Sequence, residues 1–354
     1  MQIVTLGINH KTAPIEVREK FCCSPQQQEL LLSELRNNPS VAEAFILSTC
    51  NRLEIYAYTV SAQDAQTILK TLFSVKKIKF SDILQKHFYI YADEVAVDHF
   101  LRVAAGLDSL VLGEKQILGQ VKEGVKLAAS KGMLGKYFNI LTNIAVRTGK
   151  KAQSETQISY GGSSISWAAV ALGEKILGSF SEKSVLMIGA GKMGELTAQQ
   201  IKNKGAKNLF FMNRTQSCAS ALASQCRGQE AAFCDMERIL SEIDICFCSV
   251  GAPHFILEKS TVFKAMQKRE SRPLVFIDIS VPRNIDPACG EVSGVDLYHV
   301  DDLERVVDEN IQRRTAAVDL VEKIIRQKHA EFYRKIEKIT SRQYSDYYEP
   351  ARVK

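Results

Sequence analysis

The chain has 354 residues, 45% of them hydrophobic, and a formal net charge of +6. That is enough apolar content for two or three packed domains, and no apolar run approaches a membrane span, so a soluble protein is expected. Nine cysteines with none at C-x-x-C spacing, and six scattered histidines, argue against a disulfide framework, a zinc site or any other metal. They favour a reducing, cytoplasmic setting. The charge is compatible with a polyanion such as RNA without demanding one, since Lys76-Lys77-Ile78-Lys79 reads as a solvated face.

The start, Met1-Gln2-Ile3-Val4-Thr5-Leu6-Gly7, lacks the basic residues and long apolar core of a signal peptide and reads as a strand. The polar loop Asn9-His10-Lys11-Thr12-Ala13-Pro14 follows. Ser24-Pro25 supplies an N-cap and a first-turn proline for a helix that ends near Asn37-Asn38-Pro39. Ala44-Phe45-Ile46-Leu47 reads as a buried strand and Leu53 to Tyr58 as a half-buried one, with Ser48-Thr49-Cys50-Asn51-Arg52 connecting them. Asn51 suits that turn because it tolerates a positive φ. A helical stretch over about 62–73 completes a small α+β unit.

The turn places a thiol two residues from a guanidinium. A fixed positive charge lowers a thiol pKa from about 8.5 and so raises the thiolate fraction. Cys50 therefore reads as a covalent nucleophile, with Arg52 activating it or clamping a substrate carboxylate. The alternative is a small core cysteine, a common fate of free thiols. The polar turn favours the nucleophile.

From Glu94 to Ala129 the pattern is helical, with Gly132 as a stop. Between its two stripes Ser109, Glu114, Gln116 and Gln120 are few and regularly placed, and Gln116 and Gln120 share a helix face. They read equally well as substrate ligands or exposed helix positions. His99 reads as a proton carrier or a satisfied core histidine.

Gly161-Gly162-Ser163-Ser164 reads as a hinge, followed by a helix over about 164–177. The run Ser184 to Ala198 is strand, G-x-G-x-x-G (Gly189-Ala190-Gly191-Lys192-Met193-Gly194) and helix, the context a dinucleotide site requires. The next strand, Asn208 to Met212, ends in Asn213-Arg214-Thr215 rather than an acid. Such donors suit a 2′-phosphate, so NADP is favoured over NAD. Strands over Ile243–Ser249 and Leu274–Ile279 end in loops, Val250 to Pro253 and Ser280 to Arg283, that should line the crevice. Asp301 with Glu304 reads as a helix opening. From Leu303 to Ile339 the apolar residues keep helical spacing, giving one helix of roughly 55 Å at ~1.5 Å per residue.

A reactive cysteine and an NADP site suggest hydride reduction of an acyl group held as a thioester, and Arg52 suggests that the acyl group bears a carboxylate. The sequence resembles the glutamyl-tRNA reductases, which start tetrapyrrole synthesis from glutamate. The resemblance rests on Gly7-Ile8-Asn9-His10-Lys11-Thr12-Ala13-Pro14, Ser48 to Glu54, Gly106-Leu107-Asp108-Ser109, Gly113 to Gln120, the glycine-rich loop, Asn213-Arg214-Thr215 and Asp278 to Arg283. It implies a multi-domain α/β fold: an N-terminal α+β catalytic domain over 1–159, a Rossmann-type NADP-binding domain over 160–300, and a long spinal helix with a shortened dimerisation region over 301–354. It further implies that Cys50 takes the glutamyl group from tRNA and that hydride from NADPH releases glutamate-1-semialdehyde. Thr49, Arg52, Ser109, Glu114, Gln116 and Gln120 match glutamyl-binding positions, with Asn51 and Lys115 beside them. His99 matches a histidine important for activity, supplying a proton to the leaving ribose oxygen or polarising the carbonyl. The implied partners are glutamyl-tRNA, a second copy of the chain, and an aminomutase that receives the semialdehyde. Two rivals stand beside this reading. One is a shikimate-type NADP dehydrogenase with a lysine–aspartate pair for the proton work; the other is an NADP-binding redox sensor with Cys50 as its switch.

Overall fold

The computed structural model describes residues 2–159, 164–303 and 311–348, with side chains from 316 to 341 in the last stretch. The chain forms two compact units, Met1–Tyr160 with Gln312–Lys354, and Gly161–Ile311. Residues 161–163 of the expected hinge, and Glu304 of the expected helix opening, lie outside the described residues.

The first unit runs β1 (Gln2–Asn9), α1 (Ile15–Phe21), α2 (Pro25–Arg36), β2 (Val41–Ser48), β3 (Arg52–Thr59), α3 (Asp64–Val75), α4 (Asp82–Gln85), β4 (Tyr89–Ala92), α5 (Asp93–Ala104), α6 (Gln116–Ser130) and α7 (Lys136–Glu155). Its strands form an antiparallel sheet in the order β2-β3-β1-β4. Ser24 and Gln27 close a reciprocal capping box on α2, as Ser-Pro at a helix start leads one to expect. Gly132, at φ +70°, stops α6. Helices α4 and α7 carry no expectation from the sequence, and two further elements are too short to show a period. Helix α1 spans only two turns, burying Ile15, Arg18 and Phe21, and β4 is a four-residue edge strand.

Helix α7 begins at Gly135, which has no side chain to cap it. A distant acid does so instead. The register of β2 shifts between Val41 and Glu43, a bulge, and the buried Glu43 carboxylate accepts from the backbone N–H of Gly135 (3.0 Å), Tyr137 (3.0 Å) and Phe138 (2.7 Å). A carboxylate at a helix N-terminus also meets the positive end of the dipole.

The second unit runs α8 (Ile165–Leu177), β5 (Ser184–Ile188), α9 (Lys192–Asn203), β6 (Asn208–Met212), α10 (Gln216–Cys226), β7 (Gln229–Glu230), α11 (Met236–Glu242), β8 (Ile245–Cys248), α12 (Lys259–Met266), β9 (Leu274–Asp278) and β10 (Val295–His299). All six strands are parallel, in the order β10-β9-β8-β5-β6-β7. This is the doubly wound dinucleotide-binding topology, with its switch point between β5 and β8. The four central strands are apolar runs, buried on both faces as parallel strands under helices must be. The edge strands β7 and β10 carry no such signal.

Helix α13 (Ile311–Tyr348) follows, 38 residues long, or about 57 Å at ~1.5 Å per residue. Its residues join the first unit: Ala317, Val321, Ile325 and Phe332 sink into that unit's core. Ion pairs Arg102–Glu322 and Arg147–Glu331, both at 2.7 Å, tie it to α5 and α7. No helix among the described residues is long and apolar enough to cross a membrane.

Removing the Glu43 carboxylate strands three backbone donors, of which Phe138 N–H is buried. Glu43→Ala is expected to cost roughly 1–3 kcal/mol, read as a lowered urea midpoint at unchanged slope.

Candidate active site

Two residues separate β2 from β3 beyond Thr49, and Thr49 closes the turn. Its Oγ1 accepts from the backbone N–H of Asn51 (3.1 Å) and Arg52 (3.2 Å), while its own N–H donates to the Arg52 carbonyl (2.8 Å). Asn51 is buried and is not among the residues with positive φ, so the side chain of Thr49 makes the turn without the left-handed residue expected there. The loop after β1 braces it: His10 N–H donates to the Asn51 carbonyl (3.1 Å), and Arg18 Nη1 to the Cys50 carbonyl (2.9 Å). Cys50 is thereby held on a corner fixed from both sides.

Arg52 does not face this thiol as its activator. It is 3% exposed, and its Nη1 donates to Glu54 Oε1 (2.6 Å) and Asp108 Oδ2 (2.9 Å), with Nη2 on the Asp108 carbonyl. Glu54 is wholly buried and takes further contacts. Tyr89 Oη donates to Oε1, Tyr56 Oη to Oε2, and His99 Nε2 lies 2.9 Å from Oε1. Burial opposes the Glu54 charge, but Arg52 and His99 hold its carboxyl well below the usual carboxylate range. Lys11 adds an ion pair to Asp108, which Arg52 and Lys11 likewise depress against the effect of burial. Glu54, His99 and Asp108 bring ligand-type atoms within 4.8 Å of one another. Two cations and two phenols already saturate the carboxylates, so the cluster reads as an ion-pair network rather than a metal site.

The expected lowering of the Cys50 pKa is overturned. Crowding by protein pushes the thiol up to about 12, and the Glu114 carboxylate adds to the rise; the cation that works against it is Arg18. Glu114 follows a turn fixed by two left-handed glycines. Gly106 and Gly113 both have φ +77°, their backbones bond (Gly113 N–H to Gly106 O, 2.9 Å), and a Cβ on Gly113 would lie 2.1 Å from the Ile158 carbonyl. Glu114 is 5% exposed, and burial carries its carboxyl up to about 7 against the pull of Arg52. His10, missed as a site residue, is pushed down to about 4 by burial and then by Arg52 and Lys11, so its ring is neutral near pH 7. Three buried polar atoms around the turn have no partner: His10 Nδ1, Asn51 Oδ1 and Ser109 Oγ. Unpaired buried groups are costly, and each of these three would gain from a polar partner. Gln116 and Gln120 are half-buried on α6 and Lys115 is exposed before it; none makes a side-chain hydrogen bond among the described residues.

The second unit has a cavity of 550 Å³ at the carboxyl ends of β5, β6 and β8, lined by the glycine-rich loop, Asn213-Arg214-Thr215 and the stretch from Ser249 to Ile256. Each glycine has its own reason. Gly189, at φ +103°, would drive a Cβ to 2.1 Å from the Ser249 carbonyl, and Gly194 would drive one to 2.2 Å from the Gly189 carbonyl. A Cβ on Gly191 would meet no other residue within 4 Å beyond its chain neighbours, which leaves room for a pyrophosphate against the N-terminus of α9. Asn213 Oδ1 accepts from Ala190 N–H (3.2 Å) and pins the loop to the end of β6. Arg214 is exposed beside it with no ion-pair partner among the described residues. Lys192, Met193 and Gly194 do not line the cavity: Lys192 faces Glu195, and the Met193 carbonyl accepts from Ser166 and Thr197. Phe233 and His254 to Ile256 line it without a sequence signal, because they come from loops with no periodicity.

Residues 6–156 match the family model "Glutamyl-tRNAGlu reductase, N-terminal domain", and residues 171–306 match "Shikimate / quinate 5-dehydrogenase". The glutamyl-tRNA reductase of Thermodesulfovibrio yellowstonii is 38% identical over 349 residues, covering 96% of this chain and 81% of that one. That of Bacillus pumilus is 40% identical over 336 residues, covering 94% and 73%. Among solved structures, "Glutamyl-tRNA Reductase from Methanopyrus kandleri" is similar at 31% identity and a TM-score of 0.55, over 96% of this chain and 82% of that chain. With its cysteine turn, its doubly wound cofactor unit and relatives aligned along nearly its full length, the chain belongs to the glutamyl-tRNA reductase family.

Proposed function

We propose that the chain carries out the reaction of its family, reduction of glutamyl-tRNA, through a thioester on Cys50 and with NADPH as the hydride source. The observation that carries this is the ring of unpaired buried polar atoms around the braced Cys50 corner. The Cys50 sulfur bonds to the acyl carbon, the bond from that carbon to the ribose oxygen breaks, and the tRNA leaves with a proton on that oxygen. A thiol near 12 does not attack as a standing thiolate, so its proton departs as the carbon–sulfur bond forms. Glu114, which acts on that thiol and titrates near neutrality, is the acceptor, and His99 supplies the proton that the ribose oxygen gains.

Bound in the cavity of the second unit, a nicotinamide cofactor would supply hydride to the acyl carbon; as the carbon–sulfur bond breaks and the semialdehyde leaves, Glu114 returns its proton to the Cys50 sulfur. Arg214 beside a strand end without an acid supports NADPH over NADH. Ser109, Glu114, Lys115, Gln116 and Gln120, with Asn51, bind the glutamyl group; Thr49 and Arg52 shape and charge the wall behind it. The shikimate-type match is confined to the cofactor unit and its flank, so it bears on the hydride donor and not on the acyl chemistry. A second copy along α13, where Leu320 remains 53% exposed, and an aminomutase that takes the semialdehyde complete the reading, in a cytoplasm that keeps the nine thiols reduced.

The first test is NADPH oxidation with glutamyl-tRNA beside uncharged tRNA plus free glutamate. Oxidation is expected only with the charged tRNA, and Cys50→Ala should abolish it while leaving NADPH affinity unchanged. Retained turnover in Cys50→Ala would sink the thioester. Alkylation of Cys50 by iodoacetamide should be slow at pH 7 and keep rising beyond pH 10. The sign follows from the raised pKa, which leaves roughly a thousandfold less thiolate near neutrality than a thiol at its ordinary value. A rate that levels off below pH 8 would contradict it. Arg214→Glu should weaken NADPH binding about 10- to 100-fold, the worth of one charge-assisted contact, and leave NADH binding near its original value in a titration.

A further inference from the structure

Glu54 has no assigned role, yet four side chains from three elements converge on it. The convergence depends on a gap. Across three neighbouring strands Glu54 of β3, Gly7 of β1 and Tyr89 of β4 stand in register, Gly7 pairing with both. The Tyr89 ring lies over Gly7, where a Cβ would come within 2.5 Å of it, and so its hydroxyl reaches past the middle strand to Glu54. Among the described residues every other partner of the carboxylate is a donor: Arg52 and Tyr56 by their chemistry, Tyr89 through a hydroxyl whose only other partner there is a donating Asn9 amide. An ionised carboxylate accepts only, so the His99 nitrogen 2.9 Å from Oε1 carries hydrogen. Tyr89 and Tyr91 flank the ring, with centroids 5.4 and 5.0 Å away. His99 Nδ1 makes no hydrogen bond among the described residues.

We propose that Glu54 is a positioning residue that locks His99 as its Nε2–H tautomer and leaves Nδ1 as the nitrogen that handles the substrate proton. In the acyl-transfer step Nδ1, bare at rest, takes up a proton from solvent and gives it to the ribose oxygen as the carbon–oxygen bond breaks, while the thiol's proton passes to Glu114 as the carbon–sulfur bond forms, so every proton has a source and a destination. This step rests on the reading of His99 given above; the tautomer itself does not.

The test is a proton–nitrogen correlation spectrum of the full chain with ¹⁵N-labelled histidine, the His99 signals assigned by their loss in His99→Gln. At neutral pH the wild type should show hydrogen on Nε2 and a bare Nδ1; hydrogen on Nδ1 overturns the proposal with no variant needed. Glu54→Gln should give mixed tautomers and cut kcat with glutamyl-tRNA by roughly 100-fold or more, as when the orienting carboxylate of a catalytic histidine becomes its amide, while KM moves less than about threefold. An unchanged tautomer there overturns it. Tyr89→Phe keeps the ring over Gly7 and should keep the Nε2–H form; its loss would show that the tyrosine, and not Glu54, sets the tautomer. A chain with the expected spectrum but no turnover on glutamyl-tRNA counts against the functional reading alone.

Discussion

The first unit is organised around one buried negative charge. Glu54 lies in the middle of a sheet strand with no solvent to stabilise it, and an isolated carboxylate there would be neutral. It stays ionised because Arg52 meets it directly and two tyrosines and a histidine complete its shell. A network of this kind is stabilising only while every member is present. It therefore dictates much else: Gly7 must lack a side chain, Tyr89 must cross the sheet, and Asp108 must bring the 105–115 turn onto Arg52. The corner bearing Cys50 begins where this network ends, at the backbone of Arg52.

The two halves of the chemistry obtain their groups by opposite means. Around Cys50, polar side chains are buried and deliberately left without partners, which raises the energy of the empty site and rewards a ligand that satisfies them. In the cofactor unit nearly everything is done by backbone. Glycines at two positions permit contacts that any Cβ would forbid, and a third simply leaves space. The first arrangement offers side-chain polar atoms to a ligand; the second offers backbone and open space.

What could be read from the sequence follows from how local each feature is. The strand–glycine loop–helix of β5 and α9, the capped α2 and the β2–β3 corner are set by neighbours in sequence and were legible. Which cation serves Cys50 was not, because proximity along the chain misled. Arg52, two residues away, points into the sheet toward Glu54, and the guanidinium on the cysteine corner is Arg18, brought there by a seven-residue helix too short to show a period. Glu54 itself carried a usable hint, an acid within the apolar run Leu53 to Tyr58, although its partners come from as far as His99 and only pairing reveals them. The thiol's high pKa was likewise hidden, since it depends on three-dimensional crowding and on Glu114.

Helix α13 closes the core of the unit that the chain begins with. Val321, Ile325 and Phe332 fill a surface built from residues made some two hundred positions earlier, with the whole cofactor unit synthesised in between. On the ribosome, the cofactor unit is complete in sequence before the catalytic unit is, although the catalytic unit starts first. Until α13 emerges, the core that Val321, Ile325 and Phe332 complete stays open, a surface of the kind that chaperones hold. The second unit thus has all of its sequence before the first unit has its complete core.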